Sequence, residues 1–339
     1  MMDLVKLWIM TGSREFETSK RSLENVTKKG IEFINEQVVK IDPQNKVVRT
    51  SYHSLHYDFL IIALGVELAP EQIPGLSENG LVLYELKDVP KIRDTIRQMK
   101  SGKIAMAIMG LPYKCPPAPY EAALLLRSIL EETGASNSVQ IDFYSPTPIT
   151  LPAGGPQVSE EILHILKSKK IEFHGNHKTM SVEPNKIKFE SGEAEFDVLI
   201  AVPPHKVPFV VVDCGFAQPG KFIEVNRTCK TNFENVFAIG DVNQIIVTDK
   251  IMVPKAGIFA EGEGVTVARN IISQIKKEFE NAIFDGKGGC FLETGTKTAG
   301  YLQVDMFASP APITQLKTPS PDYFSEKEKF EKDRLEKWL

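Results

Sequence analysis

An α/β fold with largely parallel sheets is predicted by three features of this 339-residue sequence. Short, uninterrupted apolar runs such as Tyr57–Leu64 (YDFLIIAL) and Lys103–Met109 (KIAMAIM) have the pattern of strands buried on both faces. Segments of helical spacing alternate with them. The length suits two domains of roughly 150 residues each. Apolar residues make up 42% and charged residues 25%, which excludes a disordered tail, a collagen-like rod and a disulfide-dense mini-protein. Lys and Arg number 40 against 44 Asp and Glu, a net charge of −4. A chain without a basic excess is a poor match for a nucleic-acid partner. No run reaches the ~18 apolar residues of a spanning helix. Leu4–Met10 is apolar but short, and it lacks the basic start and cleavage site of a signal peptide. The four cysteines form no C-x-x-C pair and suit a reducing, cytoplasmic compartment.

The elements follow in order. Ile31–Ile41 reads as a strand ended by the turn Asp42-Pro43-Gln44-Asn45, with Lys46–Thr50 as its hairpin partner. Tyr57–Leu64 is a buried strand stopped by Gly65. Val89–Met99 is helical in spacing, Lys103–Met109 is a strand, and Pro119–Glu132 is a helix with proline in its first turn and Gly134 beyond its end. Val139–Tyr144 (strand), Ser159–Ser168 (helix) and Ile171–His174 (strand) follow. Lys186–Phe189 and Val198–Val202 are strands around a turn at Ser191-Gly192. Val236–Ile239 is a strand closed by Gly240, and Gly257–Lys276 is the longest helix. The proline-rich stretch Ser309–Asp322 and the segment Leu86–Lys91 read as boundaries. A terminal helix, Phe324–Leu339, carries Phe324, Phe330, Leu335, Trp338 and Leu339 on one half of its wheel. Its balanced charges favour docking on its own protein over a membrane-surface anchor.

Three segments carry the chemistry of a ligand site. In TNFENVFAIGDV (Thr231–Val242) a strand ends in Gly240-Asp241. Gly240 lets a ligand approach the backbone, and Asp241 offers an acceptor-only carboxylate at the strand's carboxyl end, the edge where α/β sheets bind ligands. That segment resembles the second FAD motif of the pyridine nucleotide–disulfide oxidoreductase superfamily, where the aspartate bonds the ribityl chain. YDFLIIALG (Tyr57–Gly65) is similar to the same superfamily's connecting motif, which implies that Ala63, Leu64 and Gly65 pass near FAD. IEFINEQVVKID (Ile31–Asp42) resembles the strand that meets the adenine, with Val38 as the implied contact. The resemblance implies two Rossmann-like three-layer dinucleotide-binding domains. The FAD domain would be split over 1–90 and 217–290, the second domain would span 91–216, and a small C-terminal region would fill 291–339.

The branch within the superfamily is read from the loop after KIAMAIM. Gly110 is followed by LPYKCPPAPYE, whose Pro112, Cys115, Pro116 and Pro117 stand where a nicotinamide-binding G-x-G-x-x-G would be. Proline has no N–H, so this loop cannot cradle a pyrophosphate. Gly262-Glu263-Gly264 lacks a third glycine and a preceding strand, and reads as helix packing. Cys115 lies just before a helix and beside Lys114, both of which favour a thiolate. KCPPAPYE resembles the active-site segment of the sulfide:quinone oxidoreductase and flavocytochrome c sulfide dehydrogenase family. The resemblance makes Cys115 redox-active and Cys290, in GKGGCFLETG, its partner. Cys214 and Cys229 read as structural. In VPKAGIFAEGEG, Pro254 opens the long helix, and the resemblance sets Pro254, Lys255, Ala256 and Gly257 at the flavin's N1–C2=O end. His174 and His177 straddle Gly175 and make no metal site.

The expected activity is FAD-dependent. Sulfide, or another small sulfur substrate, attacks a Cys115–Cys290 disulfide, and electrons pass through the flavin to a quinone or a separate cytochrome, with peripheral membrane contact as one setting. An NADH dehydrogenase or disulfide reductase of the same fold is the alternative enzyme. The family's opening strand–G-x-G-x-x-G–helix unit is not in these 339 residues. The expectation is therefore a fragment whose FAD domain is N-terminally incomplete, with an FAD-free non-catalytic protein as the other alternative.

Overall fold

The computed structural model describes residues 3–249, 251–279, 281–295 and 297–338. Its α-helices are α1 (Asp3–Thr11), α2 (Leu76–Asn79), α3 (Val89–Gln98), α4 (Ala118–Glu132), α5 (Gly155–Ser168), α6 (Phe209–Asp213), α7 (Gly257–Lys276) and α8 (Pro321–Trp338).

Five parallel strands form the central sheet, in the order Leu81–Val82, Val198–Val202, Gly102–Ile108, Val139–Tyr144 and Ile171–His174. The strand period of two sorts the Gly102–Ile108 side chains between two layers. Ile104, Met106 and Ile108 pack with α1, α3, α4 and α5. Ala105 and Ala107 pack with Ile187 and Phe189 of an antiparallel ribbon on the opposite face. Small residues on that second face let the ribbon lie close. The apolar Leu4–Met10 segment proves to be α1, with Trp8, Ile9 and Met10 fully buried and Ile9 and Met10 packed with α3 and α4.

A second core gathers α7, the hairpin Val38–Asp42/Val47–Thr50, and two parallel strands, Leu60–Ile62 and Val236–Ala238. Two expectations are corrected here. In the run Ile31–Ile41 the strand begins only at Val38, and it extends to Asp42. Tyr57–Leu64 is not a fully buried strand: its regular part is Leu60–Ile62, and Ile61 and Leu64 are each 41% exposed. The cause is pairing. Among the described residues this strand has one neighbour, so its other edge stays open.

The remaining residues form a three-stranded antiparallel sheet, Lys287–Gly295, Thr298–Asp305 and Ile313–Ser320, followed by α8. Within the proline-rich stretch, Ile313–Ser320 is a strand and Pro321 opens α8. The strand lies at the sheet edge, where a proline such as Pro319 removes no needed hydrogen bond. The terminal helix lies on the protein with an unexpected face: Lys327 and Glu331 are its buried residues, and Trp338 is 40% exposed. Leu339 lies outside the described residues. No helix among the described residues is long and apolar enough to cross a membrane.

Candidate functional site

The loop after Gly102–Ile108 is shaped by close packing. A Cβ on Gly110 would lie 2.4 Å from Pro204 Cα, so glycine is needed here for backbone contact, not for a phosphate. Tyr84 Oη donates to the Lys114 carbonyl (2.7 Å), and Tyr113 Oη donates to the Pro116 carbonyl (3.2 Å). Cys115 takes a left-handed φ of 50°, uncommon for a residue with a Cβ. Its N–H donates to the Lys255 carbonyl (2.6 Å) and its carbonyl accepts from Ala118 N–H (2.9 Å), so the cysteine is fixed between α4 and the approach to α7. A non-glycine residue held in this region stores strain, a feature that clusters at functional sites.

Cys290 arrives from the other side on Lys287–Gly295. Gly288 and Gly289 precede it. A Cβ on Gly289 would stand 2.3 Å from the Tyr301 ring, and one on Gly288 would press on Ile258 and Phe259 of α7 at 3.1–3.2 Å. The glycines therefore let this strand lie against the first turn of α7. Cys115 and Cys290 line one cavity of about 240 Å³, shared with Asp241, Lys255, Ala256 and Gly257. Pro254 lines an adjoining hollow that also reaches Cys290. The helix itself starts at Gly257, with Ala256 as N-cap, so Pro254 precedes it rather than opening it.

Ala63, Leu64 and Gly65 lie outside the cavity. They follow the strand Leu60–Ile62, which runs parallel to Val236–Ala238, and the Ile239 N–H donates to the Ile62 carbonyl (3.0 Å). Both strands thus end beside Gly240-Asp241, at one carboxyl edge. Val38 packs against the second core and does not line the cavity.

The Gly240-Asp241 turn has a support that sequence reading missed. Glu263 of α7 is 2% exposed, and its Oε2 accepts from the Gly240 N–H (2.7 Å) and from Asn243 Nδ2 (2.7 Å). The Gly-Glu-Gly segment does pack, since Gly262 faces Phe284, but its central residue also holds the Gly240-Asp241 turn. Burial raises the Glu263 carboxyl to about 7 despite these hydrogen bonds and Lys255. Burial lowers Lys255 to about 8, against the pull of Asp241 and Glu263; its ammonium donates to the Asn243 carbonyl. The sequence offered one signal for Glu263, its place between two glycines in the helix that follows the turn.

A pH dependence follows. Between the ordinary value of 4.5 and about 7, folded Glu263 keeps a proton that the unfolded chain has lost. Stability contributed by this group therefore falls as pH rises through that window, by up to about 3 kcal/mol. In urea unfolding at pH 5 and pH 8, Glu263→Gln is expected to remove this slope, because the amide oxygen still accepts both hydrogen bonds. An unchanged slope in the variant would assign the dependence elsewhere.

Burial, and then the charge of Glu121, push the Cys290 thiol up to about 12. Cys214 accepts the Ile41 N–H, and Cys229 is fully buried, so neither lines the cavity. His174 pairs with Asp142 (2.9 Å) and stacks on Tyr144. No group of three or more metal-ligating side chains occurs among the described residues. The acceptor and donors present suit the flavin end of FAD. Asp241 faces the cavity at a strand end, and the N–H groups of Gly257 and Ile258 in the first turn of α7 have no acceptor within the helix.

Comparison with known proteins gives the relatives of this fold. Residues 122–277 match the pyridine nucleotide-disulphide oxidoreductase family. The chain is 25% identical over 323 residues to the mitochondrial sulfide:quinone oxidoreductase of Mus musculus, covering 90% of this chain and 70% of that one. It is 27% identical over 319 residues to the sulfide-quinone reductase of Aquifex aeolicus, covering 88% and 74%. The X-ray structure of the sulfide:quinone oxidoreductase from Aquifex aeolicus superposes with a TM-score of 0.90 at 24% identity, over 99% of this chain and 82% of that one. The last likeness is one of fold.

Proposed function

We propose, for a chain that belongs with the FAD-dependent pyridine nucleotide–disulfide oxidoreductases of the sulfide:quinone oxidoreductase kind, that it oxidises sulfide with Cys115 and Cys290 as its redox pair and passes the electrons to a quinone. The observation that carries this reading is the shared cavity, in which both cysteines meet Asp241 and the first turn of α7.

Hydrosulfide is an anion, and on the cavity wall Lys114, Lys255, Lys327 and Arg334 outnumber the carboxylates Glu121 and Asp241; Lys114 and Lys255 favour its entry most, since Lys327 and Arg334 are paired with glutamates. It attacks Cys290 Sγ of a Cys115–Cys290 disulfide. A new S–S bond forms on Cys290 as a persulfide, the old bond breaks, and its electron pair leaves on Cys115 as a thiolate. This direction follows from the environments. The better leaving sulfur is the more stable thiolate, and burial beside Glu121 disfavours a thiolate on Cys290. Cys115 stands beside Lys114 and at the positive end of α4. When bound, FAD supplies the two-electron acceptor next to the pair. Lys255 and the N-terminus of α7 favour negative charge at that end of the cavity. A quinone is lipid-soluble, so the meeting with it is placed at a membrane surface that the protein touches peripherally.

The NADH-dependent alternative is disfavoured by the same loop. Pro112, Pro116 and Pro117 have no N–H, and the Cys115 N–H is committed to Lys255.

Brief sulfide treatment, thiol blocking and peptide mass analysis test the assignment. The Cys290 peptide is expected to gain one sulfur atom. A gain on Cys115 instead would reverse the roles, and no gain on either would remove the cysteine-pair reading.

A further inference from the structure

One cation of the cavity wall, Lys327, is also buried among carboxylates. Lys327, in α8, is 1% exposed. Its ammonium donates to Glu121 Oε1 and, at 2.8 Å, to Glu293 Oε2. Glu121 is in the first turn of α4, six residues after Cys115. Glu293 is in the strand that carries Cys290, three residues after it. The same Glu293 oxygen accepts the Trp8 indole N–H from α1 (2.8 Å), and the ammonium lies 4.9 Å from the Trp8 ring centre. Burial would strip the charge from a lysine here, but the two carboxylates outweigh it and raise Lys327 above its ordinary value. Glu121 is pushed up by burial, and Lys327 offsets this only in part.

Stability alone does not account for such a cluster. Buried ion pairs are commonly replaced by apolar residues at no loss, whereas losing one member leaves an uncompensated charge. What the cluster does provide is a fixed geometry. One ammonium takes one carboxylate from the strand that bears Cys290 and one from the helix that follows Cys115.

We infer that Lys327 is a positioning residue for the cysteine pair: held between Glu121 and Glu293, it sets the spacing at which Cys115 and Cys290 meet. The inference rests on the proposal that these two cysteines form a redox pair. Its consequence is read in the disulfide equilibrium. Glutathione disulfide takes two electrons and two protons from the thiols, so one S–S bond forms between Cys115 and Cys290 as another breaks to give two glutathione molecules. The equilibrium constant measures how well the fold presents one sulfur to the other.

The test equilibrates purified protein in glutathione buffers and counts Cys115–Cys290 disulfide by mass after acid quenching. Lys327→Met is expected to lower the constant by about tenfold or more. Glu293→Gln, which keeps the shape, should give a smaller loss in the same direction and decides the matter if Lys327→Met does not fold. Ile187→Ala, a destabilising change in a separate core cluster, should leave the constant unchanged. If Ile187→Ala lowers it equally, or the charge variants match the unaltered protein, Lys327 is structural only and the inference is overturned. If the unaltered protein forms no such disulfide, the redox-pair reading falls first and the inference with it.

Discussion

Cys115→Ser is expected to slow flavin reduction by sulfide by about 10³-fold or more, in stopped-flow measurement on FAD-loaded protein. Serine keeps the size of the side chain but cannot form the disulfide that sulfide attacks, and its hydroxyl is a poor leaving group. The loop should survive the change, because it is held by backbone and tyrosine contacts: Tyr84 to Lys114, Tyr113 to Pro116, and the Cys115 N–H to Lys255. Cys290→Ser should lose as much, since either sulfur alone is insufficient. The double variant should be no slower than either single one, because the two residues act as a unit. Cys229→Ala serves as the contrast. It alters a fully buried thiol outside the cavity and should affect stability more than the rate.

Asp241→Ala is expected to weaken FAD binding by about 10- to 100-fold, the worth of one lost charge-assisted hydrogen bond of roughly 1.5–3 kcal/mol. Quenching of flavin fluorescence on titration with the protein measures it. Glu263→Gln should bind FAD far better than Asp241→Ala, because the amide oxygen still holds the Gly240 N–H and Asn243. Equal loss in both variants would mean that the turn's shape, and not the Asp241 carboxylate, governs binding.

Much of the architecture was legible in the sequence where local pattern decides structure. Gly257–Lys276 is helical over the full span read from its spacing, and Val139–Tyr144 and Ile171–His174 are strands as read. Misreadings fall where neighbours decide. An apolar run predicts burial only if both of its edges find partners, and Leu60–Ile62 has one. Prolines predict a break only in a central strand, and Ile313–Ser320 lies at an edge. The face of α8 was misread because its buried lysine depends on carboxylates 206 and 34 residues away, which no local pattern reveals. The same holds for the site. Gly240-Asp241 and the proline loop announce themselves by composition. Cys290 was reached only through family resemblance, since the packing of Gly288 and Gly289 that brings it to the cavity is a property of the fold. Glu263, Glu121 and Lys327 are ordinary charged residues in helices until burial makes them otherwise.

Anaerobic titration of the FAD-loaded protein, first with sulfide and then with NADH on a fresh sample, tests the central claim most directly. Sulfide should bleach the flavin absorbance at about one equivalent per flavin, and NADH should leave it unchanged on the same timescale. Rapid bleaching by NADH, with none by sulfide, would contradict the account and return the protein to the nicotinamide-dependent branch of its superfamily.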